Sequence, residues 1–136
     1  MDNVLVAPGG SYDATMQELK TPITLQHLIS HTSGLTYRTS VTGVGDVGKQ
    51  YDEFGIMMCR QEAKTLQEHM EMLAQLPLVS QPGEEWHYSV SVDVLGAVIE
   101  KVTGKRLSEY LQDTFFEPLG MRDTGFYIPP EKSART

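Results

Sequence analysis

Pro82-Gly83-Glu84-Glu85-Trp86-His87-Tyr88-Ser89-Val90-Ser91-Val92-Asp93-Val94-Leu95-Gly96 passes from a turn into a helix, and its reading decides the fold. Pro-Gly is strong turn chemistry. Two acids follow, then three ring side chains in a row. Ser89 and Ser91 are both suited to cap a helix start. From Ser91 to Thr103, Val94, Leu95, Val98, Ile99 and Val102 recur at helical spacing. Gly104 is a fitting residue just past the helix end. A tyrosine at the mouth of such a helix is either a core aromatic or a catalytic one, and the local sequence leaves both open.

The rest of the chain is read outward from there. Upstream, Thr65-Leu66-Gln67-Glu68 fits a capping box and predicts a helix to about Gln75, ended by Pro77. Thr24 predicts an N-cap for a short helix from Leu25 to Ser30, with Leu25, Leu28 and Ile29 on one face and the Thr32-Ser33-Gly34 turn stopping it. Residues 36–50, rich in Thr, Ser and Gly, read as a loop, and Tyr51 to about Arg60 as a further helix with Phe54, Met57 and Met58 on one side. Residues 1–20 read as irregular. Downstream, Leu107 to about Phe116 predicts a helix, Pro118-Leu119-Gly120 a turn, and Thr124–Ile128 a short strand, followed by an irregular tail at 129–136. The expected fold is mainly α, with long loops and one short strand near residues 124–128. A lone strand without a partner suggests a piece of something larger, because a complete domain closes its own sheet.

With 136 residues, 40% of them hydrophobic and 21% charged, the chain is sized for one globular domain with a core. A net charge of −7 argues against nucleic acid or an anionic membrane surface as partner. No apolar run approaches a membrane span, and no apolar core follows Met1-Asp2-Asn3 as a signal peptide would require. The single cysteine, Cys59, lies in an apolar run and reads as a buried, inert thiol.

The chemistry-bearing residues narrow quickly. His27 and His31 are four apart, but Leu28 stands where the helical zinc motif carries Glu, and no Cys or carboxylate cluster accompanies them. The reading is no metal, with His31 bonded to the Thr32-Ser33-Gly34 turn. Gly-x-Ser-x-Gly does not occur, and no Ser or Thr has Lys three residues on. Lys101-Val102-Thr103-Gly104 is a helix end. Tyr88 remains. A phenol is a weak base unless cations assist it, and no Lys or Arg lies within ten residues on either side.

Three segments carry a resemblance. Thr21-Pro22-Ile23-Thr24-Leu25-Gln26-His27-Leu28-Ile29-Ser30-His31-Thr32-Ser33-Gly34-Leu35, the stretch from Pro82 through Tyr88-Ser89-Val90 to Asp93-Val94-Leu95-Gly96, and Glu117-Pro118-Leu119-Gly120-Met121-Arg122-Asp123-Thr124-Gly125-Phe126 together resemble the serine β-lactamase-like hydrolases, in order and spacing. The branches it looks most like are class C β-lactamase-like proteins and family VIII carboxylesterases, with D-alanyl-D-alanine carboxypeptidases further off. The resemblance implies the helical subdomain of the β-lactamase/transpeptidase-like α/β fold. It implies a serine acylated and then hydrolysed, on an ester or β-lactam substrate, with no cofactor.

Tyr88 is then the candidate general base and acid, and Ser89 places its loop. Trp86 is expected to pack beneath that loop, with substrate contact as its alternative, and Trp86 and Val90 are the candidate substrate-binding residues. Residues 36–50 and Tyr51–Met58 are candidates for a substrate wall. The family's second motif is usually Tyr-x-Asn. Val90 in place of the amide tilts the substrate toward carboxylic esters. The Ser-x-x-Lys nucleophile motif and the Lys-Thr-Gly or His-x-Gly strand are not among the 136 residues, so the remaining α/β part of a longer parent chain is the expected partner, and a homodimer through exposed apolar surface is expected without it. A non-catalytic helical binding or scaffold module is the alternative.

Overall fold

The computed structural model describes residues 4–12, 16–39, 41, 44–55 and 65–135. The expectations for Cys59, Met57 and Met58 lie outside them. The chain divides into two compact units, Met1–Ala97 and Val98–Thr136.

The first unit holds the core: Val6, Ala7, Leu28, Leu35, Val47, Tyr51, Leu73, Leu76, Leu78, Val79 and Val90. The N-terminal region is not irregular throughout. Leu5–Val6 (β1) pairs antiparallel with Gln17–Glu18 (β2), Leu5 opposite Glu18 and Val6 opposite Gln17. So short a ribbon does not stand alone. It is held from the far side by the extended segment at 78–79. Ala7 N–H donates to Leu78 O (2.7 Å) and Leu78 N–H to Leu5 O (2.9 Å). Val79 N–H donates in turn to Gly34 O (2.8 Å), so residues 78–79 join the ribbon to the turn after the first helix.

That helix, α1 (Leu25–Ile29), starts where Thr24 predicts. The Thr24 hydroxyl accepts His27 N–H (3.2 Å), and His27 Nδ1 accepts Thr24 N–H (3.3 Å), a reciprocal cap. Leu28 alone of its predicted face is buried; Leu25 and Ile29 are exposed. Its end lies earlier than the sequence suggests. Thr32 N–H donates to His27 O (2.8 Å) and His31 N–H to Leu28 O (3.3 Å), with His31 itself at φ 55. This is a Schellman ending with His31 in the position that usually takes glycine.

Part of the stretch expected as loop is helical: α2 runs Gly45–Glu53, starting six residues ahead of the predicted Tyr51, because Val47 and Tyr51, one turn apart, both face the core. Glycine at 10 and 45 lets the 3₁₀ turn Pro8–Gly10 lie directly on the start of α2; a Cβ at either would strike the other segment's backbone. Helix α3 (Leu66–Leu73) begins on the predicted capping box. The Thr65 hydroxyl accepts Glu68 N–H (3.2 Å), and Glu68 Oε2 accepts Thr65 N–H (2.7 Å).

Helix α4 (Ser91–Thr103) matches its predicted span and carries the chain from the first unit into the second. Val94 and Leu95 pack against the core.

In the second unit, α5 (Leu107–Leu111) runs on into a π-helical turn, Gln112–Phe116, marked by Glu117 N–H to Gln112 O (2.9 Å). Glu100 Oε1 accepts Leu107 N–H (2.8 Å) and fixes the α4–α5 corner, where Gly104 stands at φ 68. Thr124–Ile128 forms no strand. The backbone there bends directly after a turn and meets no second strand among the described residues, so the β-branched pattern finds no ladder. None of the described residues from 98 onward is buried, and Phe115, Leu119, Phe126, Tyr127 and Ile128 are exposed. No helix among the described residues is long and apolar enough to cross a membrane.

Candidate active site

Two segments of the first unit lie side by side beneath Tyr88. The turn after α1 supplies residues 31–36; the Pro82-Gly83 turn and the run into α4 supply residues 82–91. Backbone bonds lace them together: Gly83 N–H to Thr32 O (2.7 Å), His87 N–H to His31 O (2.9 Å) and Val90 N–H to Thr36 O (3.4 Å). Gln81, buried, fastens the near end, its amide oxygen accepting Lys20 N–H (3.0 Å) and its amide nitrogen donating to Glu18 O (2.9 Å). The Pro82 turn is therefore pinned to β2 on one side and to the α1 ending on the other.

Behind Tyr88 the packing is polar. Ser33, Ser89 and Ser91 are all buried. Their hydroxyls form a row: Ser33 Oγ to Ser91 Oγ 2.8 Å, Ser91 Oγ to Ser89 Oγ 2.6 Å, and Ser89 Oγ to His31 Nδ1 3.2 Å. Leu35 N–H donates into one end at Ser33 Oγ (3.2 Å), and Ser89 N–H donates to His31 Nδ1 at the other (3.3 Å). Buried hydroxyls without partners would be costly; here each has one. His31 thus bonds Ser89, across 58 residues of chain, rather than the Thr32-Ser33-Gly34 turn.

In front of this row the side chains are aromatic. Tyr88 is half exposed, at 50%. Its ring lies 5.0 Å from that of His31 and 5.4 Å from that of Tyr37, both tilted, and Trp86 meets His31 edge-on at 6.2 Å. Such offset arrangements are the favoured ones for ring pairs. Trp86 does not pack beneath the loop: it is 65% exposed. Val90, a candidate substrate contact, is instead 1% exposed and part of the core. It is the first apolar residue after the serine, and the N-terminal turn of α4 points it inward. His87 Nε2 pairs with Glu85 Oε2 (3.1 Å). Behind the site, burial pushes the Asp93 carboxyl up, its own backbone amide and His69 partly opposing this.

Among the described residues no group of three metal-ligating side chains converges. His27 and His31 use their Nδ1 atoms separately, one on the helix cap and one on Ser89. The structure sets His31, Ser33, Ser91 and Tyr37 beside Tyr88 and Ser89, neighbours that the sequence does not display. The only signal was proximity of the two motifs in the fold, which the chain order does not display.

A beta-lactamase family model matches residues 9–136. The chain belongs to the beta-lactamase family. Within it, the chain is 42% identical over 114 residues to Esterase EstB of Burkholderia gladioli, covering 82% of this chain and 28% of that protein. It is 37% identical over 106 residues to the Lovastatin esterase of Penicillium rubens, covering 78% and 25%. The solved structure of EstCE1, described as a hydrolase with promiscuous acyltransferase activity, superposes with a TM-score of 0.72 at 36% identity, over 85% of this chain and 29% of that one. The chain therefore spans less than a third of the length of these relatives. The mainly helical composition of the chain, with two short strands, agrees with a helical portion of that fold.

Proposed function

We propose that the chain is the Tyr88-bearing, helical portion of a serine hydrolase that cleaves carboxylic esters through an acyl-enzyme. The observation that carries this is the mounting of Tyr88: half exposed, between two ring neighbours, on a turn hydrogen-bonded from both sides, in a chain 42% identical to an esterase.

The chemistry follows from what a positioned phenol offers. A serine hydroxyl attacks the ester carbonyl while Tyr88, acting as a phenolate beside the lysine of the nucleophile motif, takes its proton. The tetrahedral intermediate collapses, and the same proton passes from Tyr88 to the leaving alkoxide. Water then attacks the acyl-serine, giving its proton to Tyr88, which returns it to the serine. The serine, the lysine three residues after it and the oxyanion donors would lie on other parts of a longer protein. Ser89 keeps Tyr88 in place. Trp86, exposed beside it, forms part of the wall that meets substrate. Val90 supports esters over β-lactams, because this position presents a core side chain where an amide would reach a peptide-like bond.

Two results test this reading. The full-length protein hydrolyses 4-nitrophenyl butyrate with saturable kinetics, much faster than a chromogenic cephalosporin; a cephalosporinase with no esterase activity contradicts it. The 136-residue chain alone gives neither turnover nor covalent labelling by a fluorophosphonate, since removing the nucleophile from an interdependent catalytic set costs about 10⁴–10⁶-fold. Saturable turnover by that chain would sink the proposal. We further expect its exposed Phe115, Leu119, Phe126, Tyr127 and Ile128 to drive self-association, absent the rest of the fold. Light scattering reads this directly, and a clean monomer at high concentration counts against it.

A further inference from the structure

Tyr88 is bracketed by one residue. The residue before it, His87, donates its N–H to His31 O (2.9 Å), and the residue after it, Ser89, donates its N–H to His31 Nδ1 (3.3 Å). The phenol ring itself leans on the His31 imidazole at 5.0 Å.

The backbone of His31 is unusual in a way that points the same direction. It is the only described non-glycine residue with a positive φ. It occupies the Schellman position that glycine fills without strain. Histidine tolerates this region better than most residues but not as well as glycine. A helix stop alone would be served best by glycine. A histidine here is explained by what its side chain does.

Its side chain has a defined protonation pattern. A backbone N–H can only donate, so Nδ1, which receives Ser89 N–H, carries a lone pair and the ring proton sits on Nε2. Ser89 Oγ lies 3.2 Å from the same Nδ1, and the hydroxyls of Ser91 and Ser33 continue the row at 2.6 and 2.8 Å, with Ser33 Oγ accepting Leu35 N–H. The buried hydroxyl row ends on His31.

We propose that His31 is the positioning residue of the site: through its Nδ1, its carbonyl and its ring it sets the place and tilt of the Tyr88 phenol. This rests on the reading of Tyr88 as the proton carrier, and it adds a residue whose role is to hold rather than to react.

The test uses the full-length protein and three variants. His31→Gly keeps, and relieves, the helix ending while deleting the side chain. His31→Asn places an amide oxygen near the Nδ1 position and tolerates positive φ. Tyr88→Phe is the control. We expect His31→Gly to remain folded, the relieved backbone strain offsetting part of the cost of leaving the Ser89 hydroxyl and amide without their acceptor, yet to lose kcat by about 10–100-fold, the cost of misplacing a catalytic group by about 1 Å, with KM within about two-fold. His31→Asn recovers most of kcat. Amide exchange at Ser89 rises at least about ten-fold in His31→Gly, as the opened bond no longer protects it. A stable His31→Gly with wild-type kcat, or unchanged Ser89 exchange, overturns the proposal. If Tyr88→Phe also keeps its activity, or the wild type shows none, the functional reading has failed instead, and the exchange measurement still decides the role of His31.

Discussion

Tyr88→Phe in the full-length protein lowers kcat for ester hydrolysis by about 10²–10⁴-fold, the range general acid–base groups contribute, while KM stays near its original value. The substitution removes one oxygen atom and leaves the ring. The ring is what packs, at 5.0 Å on His31 and 5.4 Å on Tyr37, so the loop has no packing reason to move, and the melting temperature is expected to stay within a few degrees. A loss confined to kcat marks an interaction used in the transition state rather than in substrate binding. Both acylation and deacylation pass a proton through the phenol, so a pre-steady-state burst is not expected to survive. A Tyr88→Phe protein with near-normal kcat would remove the tyrosine from the mechanism. A raised KM alone would recast it as a substrate contact.

Gly34→Ala is expected to cost about 3 kcal/mol or more of folding stability, at the severe end for single substitutions. Gly34 stands at φ 80, and a Cβ there would penetrate the Ser80 carbonyl oxygen and crowd the Leu78 side chain. Retreat is blocked because Gly34 O accepts the N–H of Val79, a fully buried residue (2.8 Å). The same contact ties the turn under Tyr88 to the β1 ribbon, so activity should fall with stability. Gly104→Ala supplies the contrast. Gly104 has a similar φ of 68 but nothing within 4 Å of its Cβ position, so only the left-handed backbone penalty of about 1–2 kcal/mol applies. Comparing the two denaturant midpoints separates steric clash from conformational strain. Equal losses would show that the Gly34–Ser80 approach is not tight.

What could be read from the sequence divides along a physical line. Helices α3 and α4 were legible because their signals are local: a Thr65–Glu68 capping box within one turn, and an apolar stripe from Val94 to Val102 closed by Gly104. Helix α2 was not, because its glycines read as loop. What makes it a helix is long-range: burial of Val47 and Tyr51, and the close approach of the Pro8–Gly10 turn to Gly45. The β1–β2 ribbon is two residues per strand, too short for any alternation, and depends on residues 78–79. Thr124–Ile128 has strand-forming residues, but composition does not provide a neighbouring strand.

The site shows the same split. Tyr88 and Ser89 stand out through a motif. Trp86 and Val90 were placed by adjacency to it, and alternate burial sends one outward and the other into the core. His31 was visible as a residue but its role was not, since neither a positive φ nor a bond across 58 positions leaves a mark in the letters.

The central claim is that Tyr88 works on the proton of a nucleophilic serine. The most direct measurement is a crystal structure of the full-length protein inhibited by a fluorophosphonate. The expected result is phosphorus bonded to a serine of a Ser-x-x-Lys motif, with Tyr88 Oη within hydrogen-bonding distance, about 2.6–3.2 Å, of that serine Oγ or of the oxygen replacing the leaving group. An adduct on such a serine with Tyr88 turned away from it, or an adduct elsewhere in the protein, would contradict it.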